Sequence, residues 1–249
     1  MKRLPWVVAA LALFFGTMLA ELPASLALRL WQPDGIALQL DDVRGSLWRG
    51  RATRLRWHGR ELGALSWALR PGALLRGRVA VDLRLAGAAT AQARLVRGWR
   101  RTEIHDMDGM FPAHWLRAPF AGGAWQLQGR MHVTVARAVL DGNRVTALAG
   151  DLAWQDAALR GMATAALGNL RAPFALAEDH RVHGSIRDDG GPVAVSGEFA
   201  ADASRYRVRL LLAARNAGVG QLLQAVGQPL ADGRRLLVVE QELRGNGAR

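Results

Sequence analysis

The sequence lacks several residues on which common protein chemistries depend. It has no cysteine, and Lys2 is its only lysine. The missing cysteine excludes disulfide bonds and cysteine-ligated metal centres. No serine lies in a G-x-S-x-G elbow, and no glycine-rich loop leads into a lysine at the start of a helix. The sequence therefore carries no signature of an α/β-hydrolase or of a P-loop nucleotide-binding protein.

The basic character of the chain comes almost wholly from arginine. The 249 residues carry a formal net charge of +12, with arginines spread from Arg3 to Arg249 in a background rich in Ala, Gly and Leu. A nucleic-acid-binding protein concentrates its basic residues on one face or in one tract. We therefore expect no nucleic acid among the partners of this protein.

Groups able to bind a metal or to act in catalysis are sparse. His180 and His183, beside Glu178, form the one histidine cluster. On a strand, positions three apart point to opposite faces, so this pair would not chelate a metal. We predict no metal, no cofactor and no enzymatic activity, since a periplasmic enzyme would need several acids or histidines in one cleft. The other candidate groups are interpreted as loop or turn residues: Asp41, Asp42, His105, Asp106, Asp108, Asp188 and Asp189.

A long apolar run near the amino terminus predicts a membrane anchor. Residues 1–3 form a positively charged stub, and residues 4–22 contain a single charge, Glu21. As a helix this run spans about 28 Å, close to the roughly 30 Å hydrocarbon core of a bilayer. The positive-inside rule places the stub in the cytoplasm and residues 23–249 in the periplasm of a Gram-negative bacterium. The anchor side chains are Leu4, Trp6, Leu11, Phe14, Phe15 and Leu19.

A cleaved signal peptide is the alternative for this segment. Residues 25–27, SLA, resemble a small-x-small cleavage site. The apolar run is longer than the roughly 7–15 residues of a signal-peptide core, which favours an uncleaved, single-pass inner-membrane protein.

Beyond the anchor the hydrophobic period is mostly two, which is typical of strands buried on one face. In residues 205–212, RYRVRLLL, apolar side chains alternate with three arginines, and residues 78–85 and 130–135 alternate in the same way. The turn sequences DGN, DDGG and ADG separate such stretches. We predict a mainly β fold, an antiparallel meander that forms a β-sandwich or an open half-barrel.

A short internal repeat indicates two similar lobes. Residues 63–67, GALSW, recur as GDLAW at 150–154, which suggests lobes at 36–100 and 120–249. A short helix is expected at 216–227, and one or two helical turns at 110–117. We expect tryptophans of the strand segments to fill the core: Trp48, Trp57, Trp67, Trp125 and Trp154.

Residues 43–57, VRGSLWRGRATRLRW, crowd arginines around small and apolar residues. Read with period two, Ala52, Arg54 and Arg56 share the solvent face, whereas Thr53, Leu55 and Trp57 face the core. On this interpretation the arginines lie on the solvent-exposed face of a strand and do not determine which partner the protein binds.

Several sequence blocks resemble the type II secretion system protein N family. Residues 43–50 match its V-x-G-T/S-x-W-x-G block, residues 67–71 its W-x-L-x-P step and residues 74–77 its L-L-x-G step. Later blocks follow in the family's order over nearly the whole chain, and residues 102–119 fit poorly. The resemblance implies structural roles for Gly45, Trp48, Gly50, Trp67, Pro71, Gly150, Trp154 and Gly197.

This resemblance implies an accessory inner-membrane component of the type II secretion system, the machine that moves folded periplasmic proteins across the outer membrane. The implied partners are inner-membrane platform proteins and the outer-membrane secretin, and the family brings no catalytic residues. The alternative is an AsmA-like envelope lipid-transfer or lipid-scaffold protein with an apolar β-groove.

Overall fold

The computed structural model describes residues 38–116, 126–142, 144–161, 164–202, 204–216, 220 and 227–242. The predicted transmembrane helix at 4–22, with its six anchor side chains, lies outside these residues, as do Trp125 and most of the helix predicted at 216–227. The chain divides into two compact units, residues 1–99 and residues 100–249.

The first unit is an antiparallel meander of five strands, each paired with the next. A four-residue helix, α1 (Pro71–Leu74), links the third strand to the fourth. The strands are β1 (Leu38–Gly45), β2 (Arg49–Trp57), β3 (Arg60–Leu69), β4 (Val79–Ala86) and β5 (Thr90–Arg97).

The second unit is a larger antiparallel sheet. Its strands pair in sequence order as far as β12; β12 then pairs with β14, and the two-residue β13 covers the other side of β14. A 3-10 turn, Ala113–Trp115, follows the first strand. The strands are β6 (Arg101–Pro112), β7 (Gln126–Asp141), β8 (Arg144–Arg160), β9 (Thr164–Leu176), β10 (Val182–Asp188), β11 (Val193–Ala201), β12 (Arg205–Ala214), β13 (Gln228–Pro229) and β14 (Arg235–Glu242).

The predicted meander is confirmed as an open antiparallel sheet in each unit. Along β12 the three arginines are exposed and the intervening side chains are wholly or partly buried, as the alternation predicts. The turns expected at DDGG and ADG join β10 to β11 and β13 to β14. Gly190 and Gly233 adopt φ values of +80° in these turns, a conformation that suits glycine.

One face of the second sheet carries its apolar core. Directly paired residues point to the same side of a sheet, and the pairing brings Met131 beside Phe111 and Trp154, and Val195 beside Leu212. The buried members form one continuous cluster: Ala113, Leu127, Met131, Ala157, Leu159, Ala165, Leu167, Leu170, Val193, Val195 and Leu212.

Two segments interpreted as loops or turns are strands. Asp41 and Asp42 lie inside β1, and the segment from His105 to Asp108 lies inside β6. Asp42 and Asp106 both adopt φ of +51°. Aspartate tolerates this left-handed conformation better than most residues, so each strand continues through a local irregularity. The helical turns predicted at 110–117 reduce to the 3-10 turn, since Met110, Phe111 and Pro112 still belong to β6.

The face assignment in β2 is also partly wrong. Thr53 is exposed and donates a hydrogen bond from its hydroxyl to Asp42, 2.9 Å away. Trp57 is 51% exposed, so it does not fill the core. Ala52, expected on the solvent face, is buried, because a bulge against β3 between Ala52 and Leu55 puts both residues on the core face. A second register shift, between Leu55 and Arg56, interrupts the alternation before Trp57. A bulge adds one residue and resets the period-two phase.

Candidate interaction surface at one end of the first unit

The first three family-like blocks meet at one end of the first unit. Strands β1 and β3 end there, and strands β2 and β4 begin there. The backbone N–H of Leu69 donates to the carbonyl of Trp48 over 2.7 Å, and the N–H of Arg70 donates to the carbonyl of Ala80 over 2.8 Å. These bonds tie the link between β1 and β2 to β3, and the end of β3 to β4.

The link between β1 and β2 is a tight turn that requires its first glycine. The N–H of Ser46 donates to the carbonyl of Arg49 over 2.9 Å. Gly45 has φ of +94°, and a Cβ atom at this position would lie 2.5 Å from the carbonyl oxygen of Arg49. Neither the backbone angle nor the space admits a larger residue without strain.

The indole of Trp67 closes this turn from the neighbouring strand. Trp67 pairs directly with Gly50, and a Cβ atom at Gly50 would overlap the six-membered ring of the indole. The indole N–H donates to the carbonyl of Leu47 over 3.2 Å. The Trp67 ring therefore packs directly on Gly50, where only a glycine leaves room for it. Trp48 lies half-buried in the turn itself.

Backbone hydrogen bonds also fix the link between β3 and β4. Pro71 occupies the first turn of α1, where a missing backbone N–H costs nothing. The N–H groups of Arg76 and Arg78 both donate to the carbonyl of Ala73, over 3.0 and 3.1 Å, and Gly77 at φ of +65° reverses the chain. The segment is short, but its backbone is fixed at both ends.

Three charged side chains hold the start of this link in place. The Arg70 and Arg94 Nε atoms lie 2.7 and 2.9 Å from the two carboxylate oxygens of Asp82. Partial burial raises the pKa of Asp82, but the hydrogen bonds from the two guanidinium groups outweigh that effect and hold the pKa below its usual value. Asp82 thus stays ionised and fixes the start of the link to β4 and β5.

We call residues 70–78 the leucine tip, because this rigid link presents two leucines to solvent. Leu75 is 92% exposed and Leu74 is 39% exposed. Arg76 and Arg78 follow them in the chain, and no carboxylate of the described residues pairs with either guanidinium group. An exposed apolar pair on a fixed backbone, next to two arginines, is the clearest candidate functional surface of the first unit.

Family-like residues of the second unit have a packing role. The indole N–H of Trp154 donates to the carbonyl of Gln128 over 2.7 Å, an arrangement that parallels Trp67 and Leu47. Cβ atoms at Gly150 and Gly197 would lie 2.6 Å from the Phe174 ring and 2.7 Å from Leu210 Cδ2. In both cases a large side chain covers a glycine on the adjacent strand.

Histidine–carboxylate pairs lie across or beside strands in the second unit. His132 Nε2 is 2.8 Å from Asp108 Oδ2, and His183 Nε2 is 2.8 Å from Asp179 Oδ2. Sequence reasoning missed the first pair, because its members are 24 positions apart and meet only through the β6–β7 register.

Within the described ranges, no three histidine, cysteine or acidic side chains are placed to hold a metal ion. In the same ranges no helix has the length and apolar character needed to span a membrane.

Comparison with known proteins identifies the family. The family model for type II secretion system (T2SS) protein N matches residues 37–238, which covers most of both units. The chain belongs to the type II secretion system protein N family. The resemblance inferred from the sequence blocks is thereby confirmed.

Two curated relatives carry the same description. Type II secretion system protein N of Vibrio cholerae serotype O1 is 40% identical over 88 residues, which is 33% of this chain and 34% of that protein. The protein N of Aeromonas hydrophila is 32% identical over 123 residues, 46% of this chain and 49% of that protein. The aligned segments thus span between a third and a half of these relatives. No solved structure matches the chain.

Proposed function

We propose that this protein is an accessory inner-membrane component of the type II secretion system. Residues 4–22 anchor it, its amino terminus is cytoplasmic, and the rest of the chain lies in the periplasm. It supports the export of folded periplasmic proteins across the outer membrane through protein–protein contacts and catalyses no reaction. Its partners are inner-membrane platform proteins of the secretion machinery and the outer-membrane secretin.

The observation that carries this proposal is the family match over residues 37–238. The sequence adds the charge pattern of the amino terminus, where a positive stub precedes an apolar run of membrane-spanning length. An interaction role also agrees with the leucine tip, since the residues that distinguish the first family-like blocks build a support for an exposed apolar pair.

The lipid-groove alternative is less well supported. A trough for acyl chains would leave the apolar face of the second sheet open to a ligand. Val193 and Val195 on that face are 0% and 2% exposed, and they belong to a continuous cluster of buried side chains. Stoichiometric phospholipid in mass spectra of the purified full-length protein would favour the alternative.

The proposal is tested by crosslinking the full-length protein in intact envelopes and identifying its adducts. We expect adducts with platform proteins or the secretin, and their loss in envelopes of a strain that lacks the secretion machinery. Deletion of the chain should leave secreted proteins in the periplasm. Normal secretion without the chain, together with adducts that never include the machinery, would rule the proposal out.

A further inference from the structure

We infer that the leucine tip is a docking site for a periplasmic protein that offers an apolar pocket rimmed by carboxylates. This inference rests on the proposed function and names the surface through which the chain engages its partner. It is argued from the exposure of Leu74 and Leu75, from the rigidity of the link that carries them and from the charge around them.

The leucines offer apolar surface that is held in place before binding. Leu75 is 92% exposed, and the N–H of Gly77 donates to the carbonyl of Leu74 over 2.9 Å. Together with the bonds from Arg76 and Arg78 to Ala73, this fixes the backbone on both sides of Leu75. A backbone that is already fixed loses little further entropy on binding, so the tip is preorganised to enter a pocket.

The positive charge next to the leucines predicts a negatively charged rim around that pocket. Arg76 and Arg78 lie on either side of Gly77. The nearby carboxylate of Asp82 already holds Arg70 and Arg94. The guanidinium groups of Arg76 and Arg78 therefore remain available to a partner, and carboxylates would complement them. Arginine around an apolar centre is also a common composition for protein interfaces.

The position of the tip favours a protein over the anchoring membrane. The chain enters β1 at Leu38, at the opposite end of the strands from the leucine tip. Strands β2 and β3 have 9 and 10 residues, and strands of such length extend roughly 30 Å. The tip therefore lies about one strand length from the residue through which the proposed anchor is attached.

The test places a photocrosslinking amino acid at Leu75 in the full-length, membrane-anchored protein. The matched control position is Ala88, an exposed residue in the β4–β5 turn at the opposite end of the same sheet. We expect Leu75 to capture a component of the secretion machinery, with the adduct mapped by mass spectrometry to a segment flanked by Asp or Glu. Position 88 should capture that component at background level.

Charge reversal tests the second half of the inference. Arg76→Glu with Arg78→Glu should lower the adduct yield from position 75 on the order of tenfold, because two complementary contacts become repulsive. Arg76→Lys with Arg78→Lys should retain much of the yield. Both double variants should melt at the wild-type temperature, since these side chains are exposed. Equal yields from the Glu and Lys variants would overturn the acidic-rim assignment.

The remaining outcomes separate this inference from the proposed function. Absence of an adduct at Leu75, while crosslinkers at exposed Ser196 or Arg171 capture the machinery, would overturn the docking site and leave the function standing. Capture at none of these positions would count against both. Capture of phospholipid rather than protein by the crosslinker at position 75, and not at position 88, would replace the protein partner with a lipid surface.

Discussion

Among the described residues, the first unit buries four apolar side chains, three of them alanines, whereas the second unit buries sixteen. The exposed large apolar side chains show the reverse distribution. Six of eight belong to the first unit: Leu38, Trp57, Leu74, Leu75, Val79 and Trp99. Burial of apolar area is the main source of stability. The second unit therefore carries most of the core, whereas the first exposes most of the large apolar side chains that face solvent.

The largest loss of stability is expected from a substitution in the core of the second unit. Trp154→Ala removes a ring packed on the buried cluster and leaves the carbonyl of Gln128 without its donor. We expect a loss of about 3–5 kcal/mol in the free energy of unfolding, measured by urea denaturation. Trp67→Ala, its counterpart in the first unit, should cost less, because the first unit buries fewer apolar side chains. The reverse order would contradict the division between the units.

A smaller loss of stability is expected when a side chain is added at Gly50, against which the Trp67 ring packs. Gly50→Ala would force a methyl group into the indole ring and should destabilise the protein by about 1–3 kcal/mol. Gly72→Ala is the matched control, since outside its chain neighbours and its own helix backbone no atom lies within 4 Å of a Cβ at position 72. If both variants unfold at the same urea concentration, the close packing of Trp67 on Gly50 is not important.

An electrostatic prediction concerns Asp202 in the second unit. Hydrogen bonds from the Ser204 hydroxyl, and from the backbone N–H groups of Ser204 and Arg205, lower its pKa to about 2. Because the pKa is lowered in the folded state, the stabilising contribution is complete above about pH 4 and is lost as the pH falls towards 2. Ser204→Ala should raise this pKa, as followed by an NMR titration of the carboxyl carbon. An unchanged titration midpoint would be evidence against the hydroxyl contact.

The smallest effect is expected at an arginine of the first unit. Arg54 Nε lies 3.8 Å from Asp41 Oδ2, and the two side chains are 51% and 39% exposed. Arg54→Ala should change the free energy of unfolding by less than about 0.5 kcal/mol. A loss comparable to that of Trp67→Ala would mean that the arginines of β2 contribute to the fold.

Periodicity predicts strands well where the pairing is regular. In β12 the alternation runs without a register shift, so its faces follow directly from the sequence. In β2 the bulge after Ala52 puts Leu55 on the same face as Ala52, and a second register shift follows between Leu55 and Arg56, before the exposed Trp57. Bulges depend on the partner strand, so a single-strand pattern does not reveal them.

The candidate surface was only partly predictable for a similar reason. The family-like blocks are visible in the sequence, but their meeting at one end of the sheet follows from the pairing of β1 to β4. Leucine is a typical core residue, so the sequence alone does not reveal that Leu74 and Leu75 face solvent. Their exposure becomes evident only when the link around Pro71 and Gly77 is seen to leave the sheet.

The central claim is that the second unit supports the fold while the leucine tip serves a partner. Its most direct test measures secretion of a type II substrate and the melting temperature for the same variant, Leu75→Glu. We predict a marked fall in secretion with an unchanged melting temperature, whereas Ala88→Glu should alter neither. Wild-type secretion by Leu75→Glu, or a fall in secretion that merely follows a fall in melting temperature, would contradict the claim.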